Sequence, residues 1–349
     1  MFVIVAADEN FIVLPVVTIK IRRVTIMADM IGHFKDNTIL SRHVIVFMVN
    51  AFADEENGLD NNGVFLDALS AFWSEFDDSC TTGEQERIPV IRHDFQREEW
   101  ESVARILVKG YQQVEFFPVS LNQAFVVASV LGEKEVSRDL LLKSFLAYVS
   151  KDERELLHAS LTNTLNEEQT EEWIDFLDRF KCKTLPKPEK VRAVVEGIAH
   201  RELIQCPRYI TDCWTRPCST LRKYFSTAGD IDQLYERVRP SNKKVLALLS
   251  SSPETNAQRE ALSFLERYVR GIGEEKLYKF LRFCTGSTML CVPRITVVFN
   301  TERDGCARRP VAHTCGAVLE IPTTYQCFPQ FRNEMNKILT GEYWDIDFH

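Results

Sequence analysis

Residues 309–325 read RPVAHTCGAVLEIPTTY, and this stretch carries the strongest indication of function in the chain. Cys315 lies near its middle, directly after His313 and Thr314, and alternating apolar residues follow before Pro322. This pattern is typical of a strand that leaves a loop. A thiol flanked by a histidine and small residues in such a place is a candidate for thiol chemistry. The stretch therefore predicts a reactive cysteine just before a strand.

The spacing of His313 and Cys315 limits what the histidine can do. Along an extended strand, residues i and i+2 share a face, so these two side chains are predicted to point the same way, roughly 6.6 Å apart. A general base must lie within about 2.6–3.2 Å of its partner. His313 is therefore predicted to shape the site and stabilise a nearby negative charge. This favours a thiol that receives an already activated acyl group over a hydrolase that breaks an amide.

Two motifs resemble those of HECT-type ubiquitin ligases. The family's active-site segment has His-Thr-Cys, then a Leu-x-Leu-Pro run and a tyrosine. The matching residues here are His313, Thr314, Cys315, Leu319, Ile321, Pro322 and Tyr325. Residues 280–287 (FLRFCTGS) resemble the Phe-Leu-x-Phe-x-Thr-Gly-Ser/Thr segment that opens the family's catalytic lobe. The motifs occur in the family's order, with 29 positions from Gly286 to Cys315.

The chain differs from the family's pattern at three places. Gly316-Ala317 replaces Phe-Asn after the cysteine, MLCVP at 289–293 replaces a glycine-rich stretch, and the ending GEYWDIDFH lacks the common Phe-Gly tail. These differences concern the rate and linkage of transfer more than the fold. Among HECT proteins, the chain resembles divergent members related to the G2/M phase-specific ubiquitin ligase.

The resemblance implies an α+β fold with two lobes. A mostly helical N-lobe is expected over residues 1–249 and a smaller α/β C-lobe, which carries the cysteine, over 256–349. The loop chemistry of Ser-Ser-Ser-Pro in the intervening residues 250–255 suits a flexible hinge. The family places the docking subdomain for the conjugating enzyme within 135–225, with an exposed apolar groove. Candidates for the groove are Phe145, Tyr148, Trp173 and Phe176, although aromatics at helical spacing more often fill a core.

The resemblance also implies an activity. Cys315 is expected to accept ubiquitin from a conjugating enzyme as a thioester and to pass it to a substrate lysine, with His313 and Thr314 in support. Asp345 and Asp347 in the C-terminal tail are candidates for guiding and deprotonating that lysine. The expected partners are ubiquitin, a conjugating enzyme and an unidentified protein substrate. No cofactor and no metal are expected.

Positive charge near Cys315 favours its thiolate form. The charged neighbours are Arg303, Arg308 and Arg309, although an exposed turn explains these arginines equally well. Other cysteines nearby compete as nucleophile but lack the His-Thr-Cys context; they are Cys284, Cys291, Cys306 and Cys327.

Two alternatives stay open. The first is a catalytically weak or inactive HECT-like scaffold that binds ubiquitin or conjugating enzymes, which Gly316-Ala317 motivates. The second is a cysteine hydrolase that uses a distant histidine as its base. The histidines available for that role are His43, His93, His158 and His200.

Composition limits the partners and the compartment. The 349 residues carry 42 basic and 50 acidic side chains, and this net charge of −8 disfavours a nucleic-acid partner. Ten cysteines without a C-x-x-C pair predict free thiols and hence a cytoplasmic or nuclear location. The apolar start has no basic n-region, which argues against a signal peptide. No run approaches the roughly 20 apolar residues of a membrane span, so no membrane is expected.

Hydrophobic periodicity predicts the elements. Strands are predicted within residues 2–27 and at 43–49 and 294–300. The acidic loop at 54–63 is predicted as a solvated turn, because EF-hand spacing is absent. Helices are predicted at 28–34, 64–76, 98–115, 121–132, 137–149, 153–161, 167–180, 188–199, 258–269, 275–283 and 330–339.

Overall fold

The computed structural model describes residues 2–7, 10–49, 62–182, 185–301 and 309–341, with side chains from residue 14 onward. The strands are β1 (Phe2–Ala7), β2 (Asn10–Arg22), β3 (His43–Val49), β4 (Thr81–Thr82), β5 (Ile88–Pro89), β6 (Leu249–Ser250), β7 (Ile295–Asn300), β8 (Val311–His313) and β9 (Val318–Pro322). The helices of the first half are α1 (Ile26–His33), α2 (Gly63–Cys80), α3 (Arg97–Val114), α4 (Gln123–Val130), α5 (Arg138–Tyr148), α6 (Lys151–Leu161) and α7 (Glu167–Arg179). Those of the second half are α8 (Val191–His200), α9 (Arg208–Cys218), α10 (Ala228–Val238), α11 (Asn242–Leu248), α12 (Asn256–Gly271), α13 (Glu274–Thr285) and α14 (Phe328–Thr340). Helices with several small sheets make the fold α+β, which confirms the predicted class.

The chain divides into two compact units. The first takes its residues from 1–73, 109–117 and 237–349, and the second from 74–108 and 118–236. These units differ from the predicted lobes, so the lobe boundary and the hinge at 250–255 stay predictions. Ser250, the first residue of that hinge, pairs with Thr296 in a parallel ladder. Among the described residues, no helix is long and apolar enough to cross a membrane.

The first sheet of unit 1 has the strand order β1-β2-β3. β1 and β2 are antiparallel, whereas β2 and β3 run parallel from the pair Val16–His43 to the pair Arg22–Val49. A parallel pair needs a crossover connection, and α1 lies in it. The prediction of a strand at 43–49 is confirmed. The predicted helix at 28–34 instead begins at Ile26, and buried Phe34 is its C-cap.

The second sheet of unit 1 has the order β6-β7-β9-β8. β6, β7 and β9 are mutually parallel, and β8 returns antiparallel to β9. α12, α13 and α14 supply the apolar side chains that form a core with this sheet. That core includes Leu265, Val269, Leu277, Phe280, Leu281, Ile295, Val297, Leu319, Ile321, Phe331 and Met335, all buried.

Local sequence explains why these helices begin and end where they do. Thr255 and Gln258 form a reciprocal capping box at the start of α12, and this satisfies two backbone donors of the first turn. α13 ends at Thr285, and its C-cap Gly286 has a φ of +74°, the left-handed conformation that glycine adopts without strain. The Thr-Gly-Ser motif therefore serves as a helix stop.

Unit 2 is mainly helical. α4 is buried along its whole length, and Ser150 with Glu153 and Asn166 with Gln169 form capping boxes at α6 and α7. Three of the aromatics that were candidates for an exposed docking groove are buried; they are Phe145, Trp173 and Phe176. Trp173 stacks on Phe176, and Phe145 packs edge-on against Phe180. These residues form core, so they do not line an exposed groove.

Asp77 in unit 2 provides a test of stability against pH. Its Oδ1 is buried and has no hydrogen-bond partner among the described residues. Burial raises the pKa of this carboxyl from 3.8 to about 6, and the Ser120 hydroxyl and the Arg87 charge only partly oppose that shift. A raised pKa means that the folded state holds the proton more tightly than the unfolded chain, so Asp77 destabilises the fold progressively as pH rises from 4 to 6.

We therefore expect Asp77→Asn to increase the free energy of unfolding at pH 7 by up to about 3 kcal/mol, because one pKa unit corresponds to about 1.4 kcal/mol. The gain should shrink as pH falls toward 4. Urea unfolding at pH 4.5, 5.5 and 7 measures it, with exposed Asp78→Asn as the matched control. A gain independent of pH would contradict the assigned titration.

Candidate functional site

Cys315 lies at the turn of a β-hairpin. β8 pairs with β9 through Val311–Glu320, Ala312–Leu319 and His313–Val318, and the connection is a short 3₁₀ turn over residues 314–316. The amide of Ala317 donates to the carbonyl of Thr314 at 3.3 Å and closes this turn. The extended conformation predicted from His313 to Cys315 is therefore wrong. Because the chain turns after His313, the period-two argument for a shared face does not apply.

The thiol residue is partly exposed, and so is His313. Thr314 between them is only 5% exposed, and its Oγ1 has no hydrogen-bond partner among the described residues. A buried hydroxyl without a partner is unusual enough to suggest a role in another state of the site. Cys315, which is partly exposed, is therefore not sealed inside the core.

The hairpin is anchored on the core side by β7. The amide of Thr296 donates to the carbonyl of Ala317 at 2.9 Å, and Leu319 and Ile321 of β9 are fully buried. Ala317 itself has a φ of +48° and a ψ of 49°, the left-handed conformation that asparagine tolerates better than alanine. Because this chain has Gly316-Ala317 where the family's pattern has Phe-Asn, an alanine takes up this strained conformation directly beside the cysteine turn.

The first turn of α2 packs directly against the cysteine turn. A Cβ on Gly63 would lie 2.9 Å from Cα of Cys315 and 3.0 Å from its nitrogen, so only glycine fits there without movement. A Cβ on Gly286 would lie 2.8 Å from the carbonyl oxygen of Gly63. The two glycines let three backbone segments meet: the start of α2, the end of α13 and the hairpin turn.

One helical turn further along α2, Asp67 carries a buried charge. This residue is 1% exposed, and its carboxylate lies 2.8 Å from Nη1 of Arg23 and 3.0 Å from Nη2 of Arg282. Nε of Arg282 also donates to it at 3.2 Å. One carboxylate is thus shared by two arginines, one just before α1 and one in α13.

Ser70 completes the contact. Its hydroxyl donates to the carbonyl of Gly286 at 3.1 Å and accepts from the amide of Thr288 at 3.2 Å. Gly63, Asp67 and Ser70 are spaced i, i+4 and i+7, so they share one face of α2. Ser70 therefore bonds the second family motif, FLRFCTGS at 280–287, to α2 at Gly286 and just after its end at Thr288.

Sequence reasoning missed this face of α2. It assigned Gly63 to the end of a solvated turn, whereas Gly63 begins α2 and packs against the cysteine turn. It assigned the helix itself to aromatic core filling and did not single out Asp67 or Ser70. The available signal was a stripe of small and polar residues at helical spacing in an otherwise apolar helix. Such a stripe marks a contact with a polar or backbone partner, but it does not identify that partner.

The competing thiols near Cys315 are less suited to act as the nucleophile or lack its sequence context. Burial raises the pKa of Cys284 far above its ordinary value, and it raises that of Cys291 to about 12. A thiolate is the nucleophile, so both are poor candidates. Cys327 is exposed, and Cys306 lies outside the described residues.

Several predicted site residues cannot be placed. Asp345, Asp347, Arg303 and Arg308 lie outside the described residues, whereas Arg309 is described and exposed. Within the described part of the chain, no group of three or more His, Cys, Asp or Glu side chains is arranged to hold a metal ion. The structure thus brings together His313, Thr314 and Cys315 with Gly63 and Gly286.

Comparison with known protein families identifies the class. Residues 232–342 match the family model for HECT-domain (ubiquitin-transferase), and both motifs and the cysteine turn lie inside this range. The chain therefore carries a HECT-type ubiquitin ligase domain, the class that the two motifs predicted. No curated protein matches the chain significantly. The similarity to the G2/M phase-specific ligases stays a prediction.

Proposed function

We propose that this protein is a ubiquitin-protein ligase that carries ubiquitin on Cys315. The observation that supports it is a partly exposed cysteine at a hairpin turn inside the region that matches the HECT domain. The partners of this activity are ubiquitin, a ubiquitin-conjugating enzyme and a protein substrate. The reducing conditions that the thiol needs suit a cytoplasmic or nuclear location.

The proposed reaction has two acyl transfers. In the first, the Cys315 thiolate attacks the carbonyl carbon of the conjugating enzyme's ubiquitin thioester; a new C–S bond forms and the enzyme's thiolate leaves. In the second, a substrate lysine amine attacks the new thioester, an amide bond forms and the Cys315 thiolate leaves. The first step exchanges one thioester for another, so it needs mainly a thiolate and correct positioning.

His313 and Thr314 support this chemistry in the proposal. His313 lies one residue before the turn and can stabilise the negative charge that develops on the carbonyl oxygen. The buried hydroxyl of Thr314 has no hydrogen-bond partner among the described residues, and in the proposal it donates a hydrogen bond there once the turn moves. A preorganised donor directed at a developing oxyanion is the usual means of stabilising acyl transfer.

A thioester assay tests the proposal. The protein is incubated with activating enzyme, ubiquitin and a panel of conjugating enzymes, and products are separated on a non-reducing gel. We expect an adduct that disappears with reductant and is absent in Cys315→Ala. No adduct with any conjugating enzyme, combined with ubiquitin binding, would support the inactive-scaffold alternative, which the strained Ala317 favours. Release of free ubiquitin without conjugation would support the hydrolase alternative.

Docking of the conjugating enzyme needs exposed apolar surface. Three of the four predicted aromatics are buried and Tyr148 is only partly exposed, so the exposed apolar side chains within residues 135–225 are the new candidates. These are Ile174, Leu185, Tyr209 and Tyr224. Loss of loading by one conjugating enzyme after substitution of Ile174, which is 48% exposed, would assign the surface.

The tail carboxylates are proposed to act in the second transfer. We expect Asp345→Asn with Asp347→Asn to slow transfer from Cys315 to lysine by about a hundredfold, the lower end of what a general base contributes. Formation of the thioester should be unchanged, because that step needs no lysine. Single-turnover discharge of the preformed thioester onto free lysine measures the effect, with Glu334→Gln in α14 as control. Equal discharge rates for the double variant and the wild type would show that the tail carboxylates take no part in the transfer to lysine.

A further inference from the structure

A cavity lies in unit 1 where the end of α12, the start of α13 and one face of α14 meet. Its volume is about 740 Å³, which is within the range of pockets that hold small molecules. Phe328, Arg332 and Asn336 are spaced i, i+4 and i+8 on α14, so they form one wall of the cavity. None of the lining residues belongs to the cysteine turn.

The charge of this cavity is opposite to that of the chain. Four basic and two acidic side chains line it, whereas the chain as a whole carries a net charge of −8. The basic residues are Arg267, Arg270, Lys276 and Arg332. Both acidic residues already have partners. Glu275 lies 2.7 Å from Nζ of Lys279, and the hydroxyl of Tyr278 donates to Glu274 at 3.0 Å. The cavity therefore presents a surplus of positive charge.

Two of these arginines have no carboxylate partner among the described residues; they are Arg267 and Arg332. Arg270 approaches Glu266 only to 3.7 Å. Cζ of Arg267 lies 4.1 Å from the centroid of the Phe328 ring. This cation–π contact positions the guanidinium at the cavity wall without neutralising its charge. The positive charge of the cavity is therefore available to a ligand.

The uncharged polar groups of the cavity are donors as well. Oδ1 of Asn336 accepts hydrogen bonds from the hydroxyl of buried Tyr268 at 2.9 Å and from Nζ of Lys276 at 3.0 Å. Because an ammonium group only donates, this oxygen must face Lys276, and the amide nitrogen keeps its two N–H groups for another acceptor. Gly273 caps α13 without a side-chain hydrogen bond, so the first-turn amides gain no acceptor from their cap.

We infer that this cavity binds a small molecule that carries two or more phosphate groups. Phosphate oxygens accept hydrogen bonds and carry negative charge, which matches a lining of arginine, lysine and amide donors. A single phosphate would fill only a small part of about 740 Å³, so the cavity has room for several. A soluble polyphosphate and the headgroup of a phosphorylated lipid share this chemistry. The inference does not use ubiquitin transfer, and a missing thioester on Cys315 would leave it standing.

Isothermal titration of the intact chain with inositol hexakisphosphate tests the inference. We expect one saturable site whose affinity falls as the salt concentration rises, because salt screens exposed charges. Arg332→Gln should weaken binding about tenfold, and Arg267→Gln combined with Arg332→Gln about a hundredfold, since one charge-assisted hydrogen bond corresponds to about a tenfold change in affinity.

The matched control is Arg259→Gln combined with Lys337→Gln. It removes one exposed cation from α12 and one from α14, and neither of them lines the cavity. Its affinity for the probe should equal that of the wild type. An equal loss in the control would mean that the probe responds to overall charge, and this would overturn the inference. Citrate that binds as tightly as the phosphate probe would also overturn it, because the site would then select carboxylates.

Hydrogen exchange with and without inositol hexakisphosphate locates the site without any variant. Protection is expected in peptides from the end of α12, the start of α13 and α14. Protection confined to other segments would overturn the inference.

Cosedimentation with phosphatidylcholine vesicles, with and without phosphatidylinositol bisphosphate, identifies the source of the phosphate groups. Binding that requires the phosphorylated lipid and is lost in the variant with both Arg267 and Arg332 replaced would assign a lipid headgroup. Binding of the soluble probe without cosedimentation would assign a soluble ligand. No binding of either would overturn the inference.

Discussion

Cys315→Ser is expected to convert a reducible ubiquitin adduct into one that resists reductant. Serine presents its oxygen where the sulfur was, so any acyl transfer to it yields an oxyester, which thiol reagents do not cleave. A hydroxyl is a much weaker nucleophile than a thiolate at neutral pH, so lysine ubiquitination should fall by about a thousandfold or more. Cys315→Ala should form no adduct at all. Reducing and non-reducing gels, followed by mild alkali to cleave the oxyester, measure both outcomes.

The control for this experiment is Cys327→Ala. Cys327 is exposed and lies in the same C-terminal region, but it lacks the His-Thr-Cys context. Its loss should leave adduct formation at the wild-type rate. A reducible adduct that survives Cys315→Ala and disappears in Cys327→Ala would show that Cys327, and not Cys315, carries ubiquitin.

Phe280→Ala is expected to destabilise the C-terminal core by about 3–5 kcal/mol, the usual range for phenylalanine truncation in a core. Phe280 is 0% exposed and belongs to the cluster that includes Leu319 and Ile321 of the strand after Cys315. A cavity there removes contacts from β9 and so loosens the hairpin. Because the chain forms two units and need not unfold in one step, amide hydrogen exchange in α13 and β9 peptides is the appropriate measurement.

Phe283→Ala is the matched comparison. It removes the same side chain from the same helix and the same motif, but Phe283 is only partly buried. We expect less than half of the effect of Phe280→Ala. Equal losses would mean that burial does not decide the contribution of this motif, and the account of α13 as a core helix would be incorrect.

Much of the fold could be predicted from local pattern. The strand at 43–49 and the helices at α3, α7 and α13 were placed within one or two residues, because their apolar periodicity and end signals agree. The helix α9 was not predicted from the sequence, because Pro207 and Pro217 are residues that usually interrupt a helix. Pro217 lies inside α9, directly before its last residue. The end of α8 also continues through a π-helical turn at Arg201–Gln205, for which periodicity has no template.

The candidate site was predicted in identity but not in geometry. The His-Thr-Cys motif pointed to Cys315, and the match to the HECT domain over 232–342 confirms the class. The extended path from His313 was wrong, because Ala317 adopts a left-handed conformation that sequence preference assigns to glycine or asparagine. The amide of Ala317 donates a hydrogen bond to the carbonyl of Thr314 and so forms a turn, whereas the alternation of apolar residues predicts a strand there.

By itself, the amino-acid sequence indicated the HECT-type domain, many of the helices, several of the strands, and the single thiol on which the proposed chemistry depends. These follow from periodicity, caps and two short motifs, all of which act over a few residues. Only the tertiary structure decided which helix meets that thiol. Gly63 and Cys315 are far apart in sequence, and glycine is permissive in many contexts. Its necessity becomes visible only when another backbone occupies the place of its missing side chain.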